Sequence, residues 1–263
     1  NSEYPPRNHP PEYLFSKTKG RILDEYVLLY VANGSGFYSS HFHEKVEVKA
    51  GSMLFFSPGA WHSYAPNDSV GWDEYWIVFN GQTVNNRVEN NLINPQKEIY
   101  DVGISLQVVQ LFNMAIAMAR EQNAGYQKIL SGIADLLLGI ACCCDKKSDT
   151  QLSKVTQQMN KAKILMYENF HMAVSPKDVA AKLCVSYSWF RYNFKQSTGL
   201  SPHQYIQGLR MHRSKELLKT TNLTCREISY KVGYDSPEHF ASVFKKNVGV
   251  SPTKYRERYE SKR

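Results

Sequence analysis

Two groups of residues in this sequence have the types and spacing for chemistry. His41 and His43 stand at alternate positions of a predicted strand and so face the same way. With Glu47 and His62 they make a loose three-imidazole, one-carboxylate set of the kind that holds a divalent metal in an oxygenase or isomerase. The second group lies near the carboxyl end, on the outward faces of two predicted helices. The first carries Ser188, Arg191, Tyr192 and Lys195; the second carries Glu238, His239, Ser242, Lys245 and Lys246. Arg and His donate to guanine edges, Glu accepts from cytosine, and lysines near helix ends neutralise phosphates. That chemistry is the recognition of double-stranded DNA. The cysteines add nothing: Cys142, Cys143 and Cys144 are consecutive on a predicted helix, Cys184 and Cys225 are isolated, and no CxxC spacing occurs. They are expected to be small buried hydrophobes in a reducing compartment.

The helices that carry the second group belong to a duplicated unit. "WFRYNFKQSTGLSPHQY" and "HFASVFKKNVGVSPTKY" share the pattern Phe-x3-Phe-Lys-x3-Gly-x-Ser-Pro-x2-Tyr. Before the first copy, Ser175-Pro176 opens a helix with Val179 and Leu183 on its apolar face. A tight turn ends at Ser186, an N-cap, and a second helix sets Phe190 and Phe194 inward until Gly199 stops it. Ala180 is small where two helices must approach. These are the makings of a helix-turn-helix. The second copy repeats them with Ile228, Val232, Ser236-Pro237, Phe240, Phe244 and Gly249, and Ser229 stands in the place of Ala180. The offset between copies is 49 residues before the turn and 50 after it, so the second turn holds one more residue. Scaffold positions are kept while outward positions change, as two copies of one reader inspecting different sequences require. Between them Pro202 to Lys219 reads as one helix, a rod of roughly 27 Å at 1.5 Å per residue. Successive major-groove faces lie about 34 Å apart, so the rod suits two heads on one side of a duplex.

The rest of the chain must be a different domain. Residues 1–150 carry 12 Lys and Arg against 16 Asp and Glu, and residues 151–263 carry 20 against 8, so the +8 total hides a basic half suited to a polyanion. Residues 20–80 read as short strands with turns, including "EYVLLYVANGSGFY" broken at Asn33-Gly34, and predict a small β-barrel or sandwich. From Ile104 the period becomes helical: Leu106, Val109, Phe112 and Ile116, then Ile129, Ile133, Leu136, Leu137 and Ile140. "DKKSDTQLSKVT" is a polar linker. The expected organisation is α+β in two domains: residues 1–103 a barrel with an amino-terminal arm, 104–144 a helical hairpin, 145–156 a linker, 157–263 an all-α domain with two helix-turn-helix units. The apolar run from Ile129 to Cys144 is interrupted by Asp135 and reads as too short to span a bilayer. The arm "NSEYPPRNHPPEY" lacks the apolar run of a secretion signal, so no membrane association and a cytoplasmic location are expected.

From about Lys161 to Tyr259 the chain resembles the DNA-binding domain of the AraC/XylS family of bacterial transcription regulators, the segment Ile228 to Arg256 carrying the signature. Ser214 and Ser229 sit where that family usually has alanine, and Tyr234 where phenylalanine is common. Carried over by position, the resemblance implies that Ser188, Arg191 and Tyr192 face bases from the first helix, and Glu238, His239 and Ser242 from the second. Gly34-x-Gly36, Gly51, Pro58-Gly59-x2-His62-x-Tyr64 and Trp72-x3-Trp76-x2-Phe79 are similar to the cupin-like ligand-binding domain of sugar-responsive members. That similarity implies ligand contacts at Tyr64, Glu74 and Trp76, with Arg21 and His62 as further candidates, and an arm that closes over bound sugar. An aromatic barrel with a few polar groups suits a saccharide, whose C–H faces lie on rings. The helices after the barrel form the dimer contact in the resembling proteins, and Leu106, Val109, Phe112 and Ile116 offer such a seam, with packing against their own barrel the equally consistent alternative. Spacing around Gly36 and Gly51 departs from the cupin enzymes, so neither a metal nor another cofactor, nor a catalytic residue, is expected. The function implied is a ligand-responsive homodimeric activator of carbohydrate-use genes, with RNA polymerase as a further partner. The alternatives are a cupin-type metalloenzyme with a DNA-binding tail, and a regulator answering to a protein partner.

Overall fold

The computed structural model describes residues 20–145 and 154–260, which fall in two compact units, Asn1–Ser153 and Lys154–Arg263. The proline-rich arm and most of the linker lie outside the described residues.

In the first unit six strands are described: β1 (Tyr26–Ser40), β2 (Val46–Lys49), β3 (Ser52–Phe56), β4 (His62–Pro66), β5 (Trp72–Phe79) and β6 (Ile99–Asp101). The expected break at Asn33-Gly34 is absent, and β1 runs unbroken through it for 15 residues. Its first half pairs antiparallel with β3 and β5, and its second half with β2 and β4. The register with β5 shifts between Val31 and Asn33, and such a bulge bends a strand and lets it pass from one sheet to the next. Gly34 makes the crossing: its φ is +80°, and a Cβ there would stand 2.1 Å from the Gly71 carbonyl oxygen. A glycine that promised a hairpin instead admits a close backbone approach. Among the described residues the result is a half-barrel of two sheets sharing one strand.

Alternation along β1 sorts side chains to two faces. Val27, Leu29 and Val31 point inward with Tyr38, Val48, Leu54, Phe56 and Trp72. Tyr30 points the other way, where its ring stacks 6.5 Å from Phe112. That phenylalanine lies on α2 (Leu106–Glu121), which packs against α3 (Tyr126–Asp145) outside the sheet. The Tyr30 hydroxyl donates to Gly103 O at 3.0 Å and accepts from Ser105 N at 3.0 Å. Ser105 is the N-cap of α2, so one buried phenol sets where that helix begins; burial pushes its pKa up to about 12. Of the four residues offered as a seam between two chains, Val109 and Phe112 are buried in their own unit, Leu106 is half-buried and Ile116 is exposed. A short helix, α1 (Gln82–Glu89), is held to α3 by Arg87 and Asp135 at 3.1 Å. Contrary to expectation, Tyr126–Cys144 is long and apolar enough to cross a membrane by length and composition, with a hydropathy of 1.5. In the fold its Ile133, Ala134, Leu137, Leu138 and Ala141 are buried in the unit. The five cysteines are free, but their burial differs from expectation: Cys143 and Cys184 are exposed and the others half-buried.

The second unit is helical: α4 (Lys154–Asn169), α5 (Pro176–Lys182), α6 (Tyr187–Thr198), α7 (Pro202–Thr220), α8 (Cys225–Lys231), α9 (Pro237–Val248) and α10 (Pro252–Glu260). The helix caps and inward ring pairs recur where the sequence repeats. Ser175 with Asp178 and Thr224 with Glu227 close capping boxes on α5 and α8, and Ser186 and Ser236 cap α6 and α9. Such caps satisfy amide donors that a helix start leaves unpaired. Phe190 and Phe194 meet at 5.4 Å, Phe240 and Phe244 at 5.7 Å. Phe194 meets Tyr205 edge-on at 5.2 Å, as Phe244 meets Tyr255 at 5.5 Å. Each copy has its own core. The rod α7 serves both, with Ile206 in the first and Met211, Leu217 and Leu218 in the second.

Candidate functional site

On the inner face of the half-barrel four of the five predicted ligand residues come together. Arg21 reaches them through an isolated antiparallel bridge to His62, with Arg21 N donating to His62 O at 2.8 Å. Its Nη2 donates to the Tyr64 hydroxyl at 2.9 Å, and its Cζ lies 5.4 Å above the Tyr64 ring. Arg21 Nε stands 3.4 Å from His62 Nε2. His62 stacks on Phe56 at 4.1 Å and has Nδ1 3.1 Å from Ala60 O. A carbonyl only accepts, so Nδ1 carries the proton and Nε2 offers its lone pair to Arg21. Burial first, and the Arg21 charge as well, hold the His62 pKa below its ordinary value; the ring is neutral at physiological pH.

Glu74 completes the set from β5. Strand periodicity puts it on the face of Trp72 and Trp76, opposite Val31 and Leu29 of the inner core. The Trp72 side chain hydrogen-bonds the carboxyl, and burial raises its pKa. Glu74 Oε2 is buried and, among the described residues, has no hydrogen-bond partner. A buried acceptor left unmade costs about 1–3 kcal/mol, so this oxygen has the capacity for one more donor. Trp76, the fifth predicted residue, lies two positions on along the same face and is 48% exposed. It is more exposed than the Arg21–His62–Tyr64–Glu74 group.

The four residues of the possible metal set separate. His43 Nδ1 lies 3.0 Å from Glu98 Oε2, His62 turns to Arg21, His41 lies 6.2 Å from the Trp61 ring, and Glu47 is exposed on β2 opposite Phe37. Among the described residues no three His, Cys, Asp or Glu side chains cluster to hold a metal. Sequence reasoning missed Glu98, which is 3% exposed and accepts from both Ser40 Oγ and His43. It ties the strand end of β1 to the segment before β6 across 58 residues, and no motif announced it.

On the second unit Tyr187, Ser188, Arg191, Tyr192, Lys195 and Gln196 line one open depression of about 340 Å³ along α6. The counterpart positions on α9 are chemically unlike. At an offset of 50, Arg191 corresponds to Ala241 and Tyr192 to Ser242, while Lys195 corresponds to Lys245. Glu238 is exposed, but Ser236 Oγ donates to its Oε2 at 2.6 Å, and this bond holds the Glu238 pKa below its ordinary value. One oxygen of that carboxylate is therefore engaged in the helix start. The His239 ring meets Tyr234 edge-on at 5.5 Å. Lys245 and Lys246 are exposed in the last turn of α9.

The AraC-like ligand binding domain family matches residues 2–137, and a helix-turn-helix domain family matches residues 179–258. Similar curated proteins include the lactose operon transcription activator of Staphylococcus xylosus, 25% identical over 90% of this chain and 86% of its own length. The Msm operon regulatory protein of Streptococcus mutans is 25% identical over 95% of this chain and 89% of its own. The raffinose operon transcriptional regulatory protein of Pediococcus pentosaceus is 24% identical over 94% and 89%. With a sheet half-barrel of ligand-binding type in one unit and paired helix-turn-helix heads in the other, the chain belongs to the AraC family of ligand-responsive, DNA-binding transcription regulators.

Proposed function

We propose that this regulator activates carbohydrate-use genes when a sugar occupies the half-barrel. The observation that carries it is the inner face where the Arg21 guanidinium, the Tyr64 phenol and a buried Glu74 oxygen with no hydrogen-bond partner among the described residues stand beside Trp72 and Trp76. A saccharide matches that set: its hydroxyls both donate and accept, and its C–H faces cover indole rings. The operons named for the similar curated proteins, lactose and raffinose, support the same class of effector. DNA is held by the outward faces of α6 and α9, with Ser188, Arg191, Tyr192, Glu238, His239 and Ser242 toward bases and Lys195, Lys245 and Lys246 toward phosphates. The chain acts as a regulator and not as an enzyme, in the bacterial cytoplasm where its operators lie, with RNA polymerase as the downstream partner.

Two copies associate through α3 rather than through the α2 seam. Val109 and Phe112 are buried, whereas α3 leaves Ile129, Gly132, Leu136, Gly139 and Cys143 exposed, and these recur at three- and four-residue steps and so form one stripe. A thermal-shift panel of mono- and disaccharides on the full chain tests the effector. A ligand at 100 times its Kd stabilises the state it binds by about 2.7 kcal/mol, and the shift is expected to vanish in Tyr64→Phe or Glu74→Gln. Silence across the panel would instead favour a protein partner as the input.

A further inference from the structure

The two turns of the repeat place a left-handed residue at the same point, Cys184 at φ 54° and Gly233 at φ 87°. The next residue closes each turn alike, Val185 N donating to Ala180 O at 3.1 Å and Tyr234 N to Ser229 O at 2.9 Å. Asp235 is then the additional residue of the second turn, lying between this matched point and the N-cap Ser236. A cysteine therefore suffices for the turn itself. What excludes a side chain at 233 is the other head. A Cβ there would stand 2.9 Å from the carbonyl carbon and oxygen of His171 and 3.0 Å from the Phe170 oxygen. Those atoms are backbone, so no rotamer change relieves the contact. Phe170 follows α4 and packs on the first core, whereas Tyr234 belongs to the second.

Arg210, midway along α7, closes the same junction. Its Nε donates to Phe170 O at 2.7 Å and its Nη2 to Met172 O at 3.0 Å. Its Cζ lies 5.3 Å over the Tyr234 ring. One guanidinium thus clasps two carbonyls of the first head and an aromatic face of the second. A planar fork does this as a flexible ammonium cannot. Because each copy has its own core and only α7 is common to both, the junction is what opposes bending and twisting between them.

The geometry points to a phase lock. Arg210 is a positioning residue that, with Gly233 and the Phe170 and Met172 carbonyls, holds α6 and α9 at one separation and one rotation, so that the chain accepts two DNA half-elements at a single spacing. This rests on α6 and α9 being the reading helices. One inserted base pair moves the second element by about 3.4 Å and turns it by roughly 35° about the duplex axis. An unlocked pair of heads follows that change; a locked pair does not.

The test uses the full chain and a duplex enriched from random-sequence DNA by the wild-type protein. It is rebuilt with one, two or three base pairs added or removed between its half-elements, and affinities are measured at fixed salt. Wild type and the control Cys184→Ala are expected to lose about 10-fold or more for a one-pair change. Arg210→Met and Gly233→Ala lose less than about 3-fold, and Arg210→Lys falls between. Because the ratio is taken within each protein, a smaller folded fraction cancels; should one variant not fold by circular dichroism, the other decides. If the folded variants keep the wild-type ratio, the lock is refuted while the reading helices stand. If the wild type enriches no preferred duplex, or one with a single element, the assignment of the reading helices fails and the lock with it.

Discussion

Arg191→Ala turns one outward position of the first head into what the second head already has, since Ala241 is its counterpart. Arg191 is exposed on α6 and lines the depression shared with Tyr187, Ser188, Tyr192, Lys195 and Gln196. Among the described residues no side-chain bond to Arg191 is lost on truncation, and alanine is the best helix former, so stability should stay within about 0.5 kcal/mol. All of the effect should then fall on DNA. A bidentate arginine contact discriminates against a wrong base by about 1–3 kcal/mol, roughly 5- to 160-fold. Preference should be lost at one base position and kept at the others. Lys245→Ala supplies the contrast: removal of a phosphate contact lowers the salt slope by about 0.9, which is roughly 3.5-fold in affinity at 200 mM relative to 50 mM salt, for every sequence alike. The assay is competition binding of single-position duplex variants at those two salt concentrations. A uniform loss with a reduced slope for Arg191→Ala, or no loss at all, would refute its placement at a base edge.

Three further outcomes are expected. Glu74→Gln should stabilise the effector-free protein near neutral pH, by about 1–3 kcal/mol at most, because it removes a buried charge whose pKa burial has raised, and it should abolish the saccharide-induced shift; thermal midpoints with and without sugar check both. Burial lowers the His62 pKa from its ordinary 6.5, so the unfolded chain binds the proton first. Its contribution is fully present above pH 6.5 and is lost as pH falls through the lowered value, while Glu74, shifted the other way from 4.5, loses its contribution as pH rises through its raised value. A pH series of unfolding midpoints should therefore show less acid loss in His62→Gln than in the wild type. Leu136→Asp places a charge in the exposed apolar stripe of α3 and should shift sedimentation at micromolar concentration from two chains to one, whereas Met114→Asp on α2, also exposed, should not.

How much was legible in the residues follows from how far apart the interacting groups lie. The helix-turn-helix repeat depends on contacts three or four residues apart, Ser186 Oγ with Trp189 N, Phe190 with Phe194, Ser201 with Gln204. A short stretch of sequence contains both partners of each, so spacing alone predicts them. The inner face of the half-barrel was legible only through resemblance: Arg21 and Tyr64 are 43 residues apart, and nothing local says that a guanidinium will find that phenol. Where a local signal and a distant contact competed, the distant contact won. Asn33-Gly34 has the composition of a hairpin turn, yet β5 packs against its backbone and β1 runs straight on. The seam of α2 has the period of a helix-pairing surface, yet Tyr30 and Tyr75 already cover Phe112 at its middle and leave Ile116 exposed.

By itself, then, the sequence determined the two-domain plan, the basic half, the repeated heads with their caps and inward aromatics, and the identity of their outward residues, because all of these are written in composition or in short periods. Only the tertiary structure decided which buried carboxylate oxygen has no partner among the described residues, which apolar stripe of α3 stays open, and why position 233 must be glycine when its twin at 184 is cysteine. Each of those depends on backbone or side chains brought from elsewhere in the chain, and a close approach in space has no counterpart in the spacing of residues along it.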